Sequence, residues 1–262
     1  MKKELLKELL ISLGCLLGLV GVVIAQEITI TSADKFYKYA YAVIEKYRIG
    51  MEAVISYTKE IGKDASQLTS IKNEFLSAGK ELETACNNQN WSEINSIASK
   101  MKDNVTAFRE EAQTQLVGHG KEAKERIEKA IEENKNYLNS LLNEARKLHR
   151  ERNLQIFDFS VAKAKEVTER LKDYKLDTTE VNSKLSEIEG KRSNFIAAMD
   201  DVINACTGYW WLECEVQEVV SETPETSETE CKSKVRNYCT LRDEIRKDFQ
   251  DLQDLVYKAA GY

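Results

Sequence analysis

From residue 33 to 260 the chain repeats one pattern, apolar positions at alternating three- and four-residue steps with charged residues between them. Such spacing draws one apolar stripe along a helix, the seam of a bundle or coiled coil. It predicts a first helix from Ala33 to about Gly62, capped by Thr31 or Ser32. Its seam is Phe36, Ala40, Val43, Tyr47, Met51, Val54, Thr58 and Ile61. A second helix follows a cap at Asp64 or Ser66, carries Leu68, Ile71, Phe75 and Leu82, and stops at the turn formers Asn87-Asn88-Gln89-Asn90. A third opens at Trp91 and turns Ile94, Ile97, Met101, Val105 and Phe108 inward. It ends at Gly118-His119-Gly120, where His119 reads as an exposed histidine beside a helix stop.

The next stripe runs from Lys121 to Tyr174, and its denser apolar cluster at Arg152 to Phe159 predicts a kink or register change there. Asp177 or Thr178 caps a further helix through Val181, Leu185, Ile188 and Phe195 to Cys206, continuing past Gly208 to Val220. A polar loop, Ser221 to Glu228, contains Pro224, the single proline of the chain, and a last helix spans about Thr229 to Ala260. One proline, 11 glycines and 31% charged residues agree with long helices and few breakers.

Two halves of this pattern resemble each other. Asp64-Ala-Ser-Gln-Leu68 and Asp177-Thr-Thr-Glu-Val181 open equivalent helices 113 residues apart, and at that offset Phe75 meets Ile188 and Leu82 meets Phe195. Ala85-Cys86 and Trp91 recur as Ala205-Cys206 and Trp211 at an offset of 120. The extra seven residues are one heptad, which lengthens a helix without turning its face. The expectation is an all-α, elongated antiparallel helical bundle or coiled coil built from two tandem three-helix-like units, 26–120 and 121–262.

Cysteines add a covalent prediction. Cys206, Cys214, Cys231 and Cys239 have seven, sixteen and seven residues between them, symmetric about Glu222-Thr223. Four cysteines allow three pairings, and the nested one suits an antiparallel hairpin: Cys206 with Cys239, Cys214 with Cys231. The prediction is therefore a C-terminal helical hairpin stapled by disulfides. Cys86 is left over, either an inert buried thiol or an intermolecular disulfide that makes a homodimer. Cys15 reads as an ordinary apolar residue.

The N-terminus gives the expected address. Lys2, Lys3 and Lys7 precede an apolar run of 17 residues, Leu9 to Ala25, that ends Val-Ile-Ala before Gln26-Glu27. This is the form of a signal peptide cleaved after Ala25, with an uncleaved membrane anchor as the alternative. Either form places the rest of the chain in an extracytoplasmic, oxidising compartment, at the cell surface or secreted.

Charge and motif content exclude several classes. The net charge is −6 with both signs interspersed, so no basic face is offered to nucleic acid. There is no CxxC zinc spacing, and no Glu stands three residues before His119 or His149, as di-iron bundles require. Gly-rich phosphate loops, HExxH and GxSxG are also missing from the sequence. The expectation is a non-enzymatic protein without cofactor or metal. It acts by contact with a protein or cell-surface partner, or as a membrane-tethered sensor or spacer. Candidate contact residues are Tyr209, Trp210 and Trp211, with Tyr37 and Tyr41 from the tyrosine-rich first helix. Trp211 and its counterpart Trp91 also suit a core position where three helices meet, which leaves Trp210 the more exposed. Asn90-Trp-Ser and Asn104-Val-Thr are candidate glycosylation sequons at Asn90 and Asn104.

Overall fold

A computed structural model of the protein describes residues 31–206 and 226–261, the stretch 226–229 by its backbone alone. Every described element is an α-helix: α1 Ser32–Glu60, α2 Ser66–Asn87, α3 Trp91–Gln115, α4 Gly120–Glu133, α5 Lys135–Asp173, α6 Thr179–Gly190, α7 Arg192–Ala205 and α8 Thr226–Ala259. The all-α prediction holds. The helices form two compact units, one spanning Ser32–Ala145 and the other beginning at Arg146. Sequence placed the division after Gly120. It falls 25 residues later because α4 packs along α1, burying Ala123 and setting Ile127 against Gly50. The predicted signal or anchor segment, residues 1–25, lies outside the described residues. Among the described residues, no helix is long and apolar enough to cross a membrane.

In the N-terminal unit the predicted seam is only part of the core. Met51, Val54 and Thr58 are buried as expected, but so are Ile44, Ile49, Ile55 and Tyr57. Helix α1 packs against α2 on one side and α4 on another, so two of its faces leave water. Thr58, fully buried, satisfies its hydroxyl by donating to the Val54 carbonyl at 2.8 Å. Tyr47, predicted in the seam, is exposed and lies edge-on to Phe75. The helix ends in a Schellman motif: Lys63 N–H donates to Thr58 O, Gly62 N–H to Lys59 O, and Gly62 takes φ +75°. Helix α2 closes the same way through Gln89 at φ +53°, and α5 through Lys175 at φ +58°.

The C-terminal unit packs α5, α6–α7 and α8 around one core that includes Phe157, Leu171, Ile188, Phe195, Met199 and Tyr238. The long stripe from 121 to 174 breaks at Asn134, not at the predicted 152–159. Asn134 turns its side-chain amide onto the Ala130 carbonyl at 2.8 Å, and its backbone N–H is shared between Ala130 O and Ile131 O. Local bonding of this kind competes with the helical ladder. The helix begun at 179 pauses at Lys191, where Lys191 N–H bonds Ile188 O in a tightened turn. It ends at Ala205, with Cys206 extended (φ −93°, ψ 112°) and no longer helical. The expected continuation to Val220 is therefore interrupted at Cys206, and residues 207–225 lie outside the described ones.

Candidate functional site

In the C-terminal unit, Cys206 is bonded to Cys231, with their Cα atoms 4.8 Å apart. The predicted partner, Cys239, stands about two helical turns farther along α8. Helical phase explains the correction. Cys231, Tyr238, Ile245 and Leu252 recur every seven residues and are all buried, so they face the core, whereas Cys239 falls one position past that stripe. Cys206 continues the buried α7 stripe of Phe195, Met199 and Val202 and meets the seam cysteine. Cross-hairpin contacts fix the same register: Asp201 accepts from Lys234 at 2.8 Å, and Phe195 stacks on Tyr238 at 5.8 Å between centroids. Cys231 being bonded to Cys206, the predicted Cys214–Cys231 bridge is excluded as well. Cys239 is also disulfide-bonded. Cys214, Tyr209, Trp210 and Trp211 likewise lie outside them.

Two polar clusters inside this unit escaped the sequence reading. Asp248, 6% exposed, accepts hydrogen bonds from Lys184 at 2.6 Å and Lys191 at 2.5 Å. Burial alone would raise its pKa, but those two bonds and charges outweigh burial and hold it below the usual carboxylate range. Lys184 also reaches Glu187 at 3.1 Å. A charged residue on the α8 stripe, between Ile245 and Leu252, was the signal available in the sequence. The second cluster surrounds the buried Tyr238, whose hydroxyl accepts from Asn153 Nδ2 at 2.9 Å. That amide also lies 2.9 Å from His149 Nε2. Burial pushes the Tyr238 phenol up to about 12.

The N-terminal unit gathers its candidate residues where α1 begins and α2 ends. Tyr37 and Tyr41, one turn apart on α1, have ring centroids 6.1 Å from each other. Burial, then the Glu83 carboxylate that it hydrogen-bonds, drives the Tyr37 phenol far above the ordinary tyrosine range. Tyr137, pushed up by burial and then by its hydrogen bonds to Tyr41 and Glu45, links the pair onward. Its hydroxyl donates to Glu45 at 3.1 Å, and Arg48 holds the same carboxylate at 2.9 Å and Glu52 at 2.7 Å. The tyrosine wall is thus tied into a satisfied polar network along α1.

Cys86 is a free thiol, 1% exposed. Burial and then the Asp34 carboxylate push its pKa up to about 11, so it stays protonated and unreactive near neutrality. This is the inert-thiol alternative, and an intermolecular bond at Cys86 would first require the corner to open. Trp91, expected in a core, is instead 45% exposed as the first residue of α3, with its ring edge-on to Phe36 at 6.1 Å. The two sequons also differ. Asn90 is exposed and caps α3 by accepting from Glu93 N–H at 3.3 Å, whereas Asn104 Nδ2 is buried without a partner. His119, expected to be exposed, is half-buried, its Nδ1 3.3 Å from the Tyr57 hydroxyl. Among the described residues, no group of three or more His, Cys, Asp or Glu side chains is placed to hold a metal ion.

Comparison of the chain with protein-family models, curated proteins and solved structures finds no match.

Proposed function

We propose that this is an exported, non-enzymatic helical-bundle protein that works through contact at the cell surface, as a binding or structural component. The observation that carries this reading is the Cys206–Cys231 disulfide, accompanied by a bonded Cys239. Such bonds persist in oxidising compartments and are rare where glutathione and thioredoxin keep thiols reduced. The basic and then apolar N-terminal pattern, Lys2 to Ala25, supplies a route to that compartment. The polar clusters support a structural or contact role over catalysis. Glu45, Asp248 and Tyr238 are each consumed by internal partners, leaving no poised acid, base or nucleophile among them. Fractionation of expressing cells with N-terminal sequencing tests the reading. A chain outside the cytoplasm, starting at Gln26 and carrying the disulfide, is expected; a cytosolic chain with reduced Cys206 and Cys231 would refute it.

A second reading, a membrane-tethered spacer or sensor that keeps residues 9–25 as its anchor, is favoured by one observation. The exposed Trp91, first residue of α3, packs on Phe36 one turn into α1, and only six residues separate the start of α1 from Ala25.

A further inference from the structure

We infer that the end of the N-terminal unit formed by Phe36, Tyr37 and Trp91 is a lipid-contacting collar seated in the interfacial layer of the bilayer. The inference rests on the tethered reading. From Ala25, where the apolar run ends, to Ser32, where α1 begins, there are seven chain steps. Fully extended, these span about 25 Å at most. Phe36 lies one turn into α1, and Trp91 packs on it edge-to-face. A link this short keeps that end of the unit within about 25 Å of the membrane surface, within reach of the headgroup region, about 5–7 Å deep on each side. Trp and Tyr favour that layer because an amphipathic ring suits a site with one apolar and one wet side.

The chemistry of the patch narrows the lipid. Asp34, Glu83 and Glu93 offset Lys35 and Lys38 around it, and Lys38 is also 3.8 Å from Glu144. No basic excess is present to recognise anionic headgroups, so contact is made by the rings and is expected on zwitterionic lipid with little salt dependence. Area argues against a second copy as the occupant. One indole that is 45% exposed, with the edges of Phe36 and Tyr37, offers on the order of 100–200 Å². A stable protein interface takes about 800 Å² per partner.

The test uses the full chain reconstituted in phosphatidylcholine vesicles, with Trp210→Phe and Trp211→Phe leaving Trp91 as the sole tryptophan. Phosphatidylcholine brominated near the headgroup end of its acyl chains should quench Trp91 emission strongly. Bromine near the chain terminus should quench it less, and added salt should change neither result. A parallel measurement in the chain with Trp210 and Trp211 intact guards against misfolding of the double variant, since Trp91→Phe alone should there remove the quenched component. A chain that remains membrane-bound while Trp91 emission ignores all brominated lipid overturns the collar and leaves the tether standing. Trp91 shielded from lipid by a second copy, detected as a cross-linked dimer, also overturns it. Recovery of the native protein off the membrane with Gln26 at its N-terminus removes the tether, and the collar with it.

Discussion

Ala85-Cys86 lies at the end of α2 in the N-terminal unit, and Ala205-Cys206 lies at the end of α7 in the C-terminal unit; both cysteines are 1% exposed. The helices that lead to these corners start alike. Asp64 accepts from Ser66 N–H at 2.9 Å and Asp177 from Thr179 N–H at 2.9 Å, two matching Asx turns. Phe75 and Ile188, and Leu82 and Phe195, then occupy equivalent buried positions. The corners close differently. At Cys86 the chain turns through Gln89 into the Asn90 cap of α3, held by backbone bonds, the Asn90 side chain and burial, with no covalent tie. At Cys206 the chain leaves the helix and is bonded to Cys231. The same buried small residue thus serves as packing in one unit and as a covalent tie in the other, and what decides is whether a partner cysteine occupies the facing seam.

The largest effect that separates the corners should come from the covalent tie. Replacing both Cys206 and Cys231 by Ser releases a closure of 25 residues, worth about 3.5 kcal/mol in the unfolded-chain entropy account. Denaturant unfolding of the C-terminal unit should show this loss, and reductant on the unaltered protein should cost at least as much, because it also opens the bond at Cys239. The cost of Cys86→Ser should be the same with and without reductant, because Cys86 carries no bond to reduce.

Next is the Asp248 tie of the C-terminal unit, where one buried carboxylate joins Lys184 and Lys191. Asp248→Ala should cost roughly 2–3 kcal/mol, because Lys184 and Lys191 lose a buried acceptor. The sign of its pH dependence follows from the depressed folded pKa of Asp248. Its contribution is complete above the unfolded value of about 3.9 and is lost as pH falls through the folded value. Acid titration of stability should therefore steepen below about pH 4, and Asp248→Ala should flatten that limb.

Cys86→Ser should cost about 1–2 kcal/mol, the penalty for a hydroxyl in an apolar site. In the native protein at neutral pH Cys86 should resist a thiol reagent, and denaturation should expose it. Rapid native labelling would show that the corner opens. Smaller still are the matched turns: Asp64→Ala and Asp177→Ala should each cost about 1 kcal/mol, and unequal losses would break the correspondence between the helix starts. Lys175→Gly should stabilise by roughly 0.5–1 kcal/mol by relieving a left-handed residue.

Periodicity alone made the helices and many core residues legible in the sequence, since Leu68, Phe75, Ile94, Leu171 and Ile188 follow directly from three- and four-residue spacing. Register was not legible in the same way. The symmetric cysteine spacing suggested a hairpin centred on Glu222-Thr223, but alignment is set by the heptad phase of Cys231 and by pairs such as Asp248 with Lys184 and Lys191. The second buried face of α1 was hidden because it exists only once α4 lies along α1, where Ile127 meets Gly50 and Arg126 stands over the Tyr57 ring. Gln89 and Lys175 concealed their left-handed turns because side-chain type points to glycine at such positions. Analogy of position with Trp211 points to a core for Trp91, while its place at the first residue of α3 leaves it half in water.

The register of the C-terminal hairpin is tested most directly by mass spectrometry of the unreduced protein after combined digestion at basic residues and at glutamate. These cuts place Cys206, Cys214, Cys231 and Cys239 on four separate peptides. The peptide ending at Glu213 should be found bonded to the dipeptide Cys231-Lys232. Finding it bonded to the peptide that carries Cys239 would contradict the account.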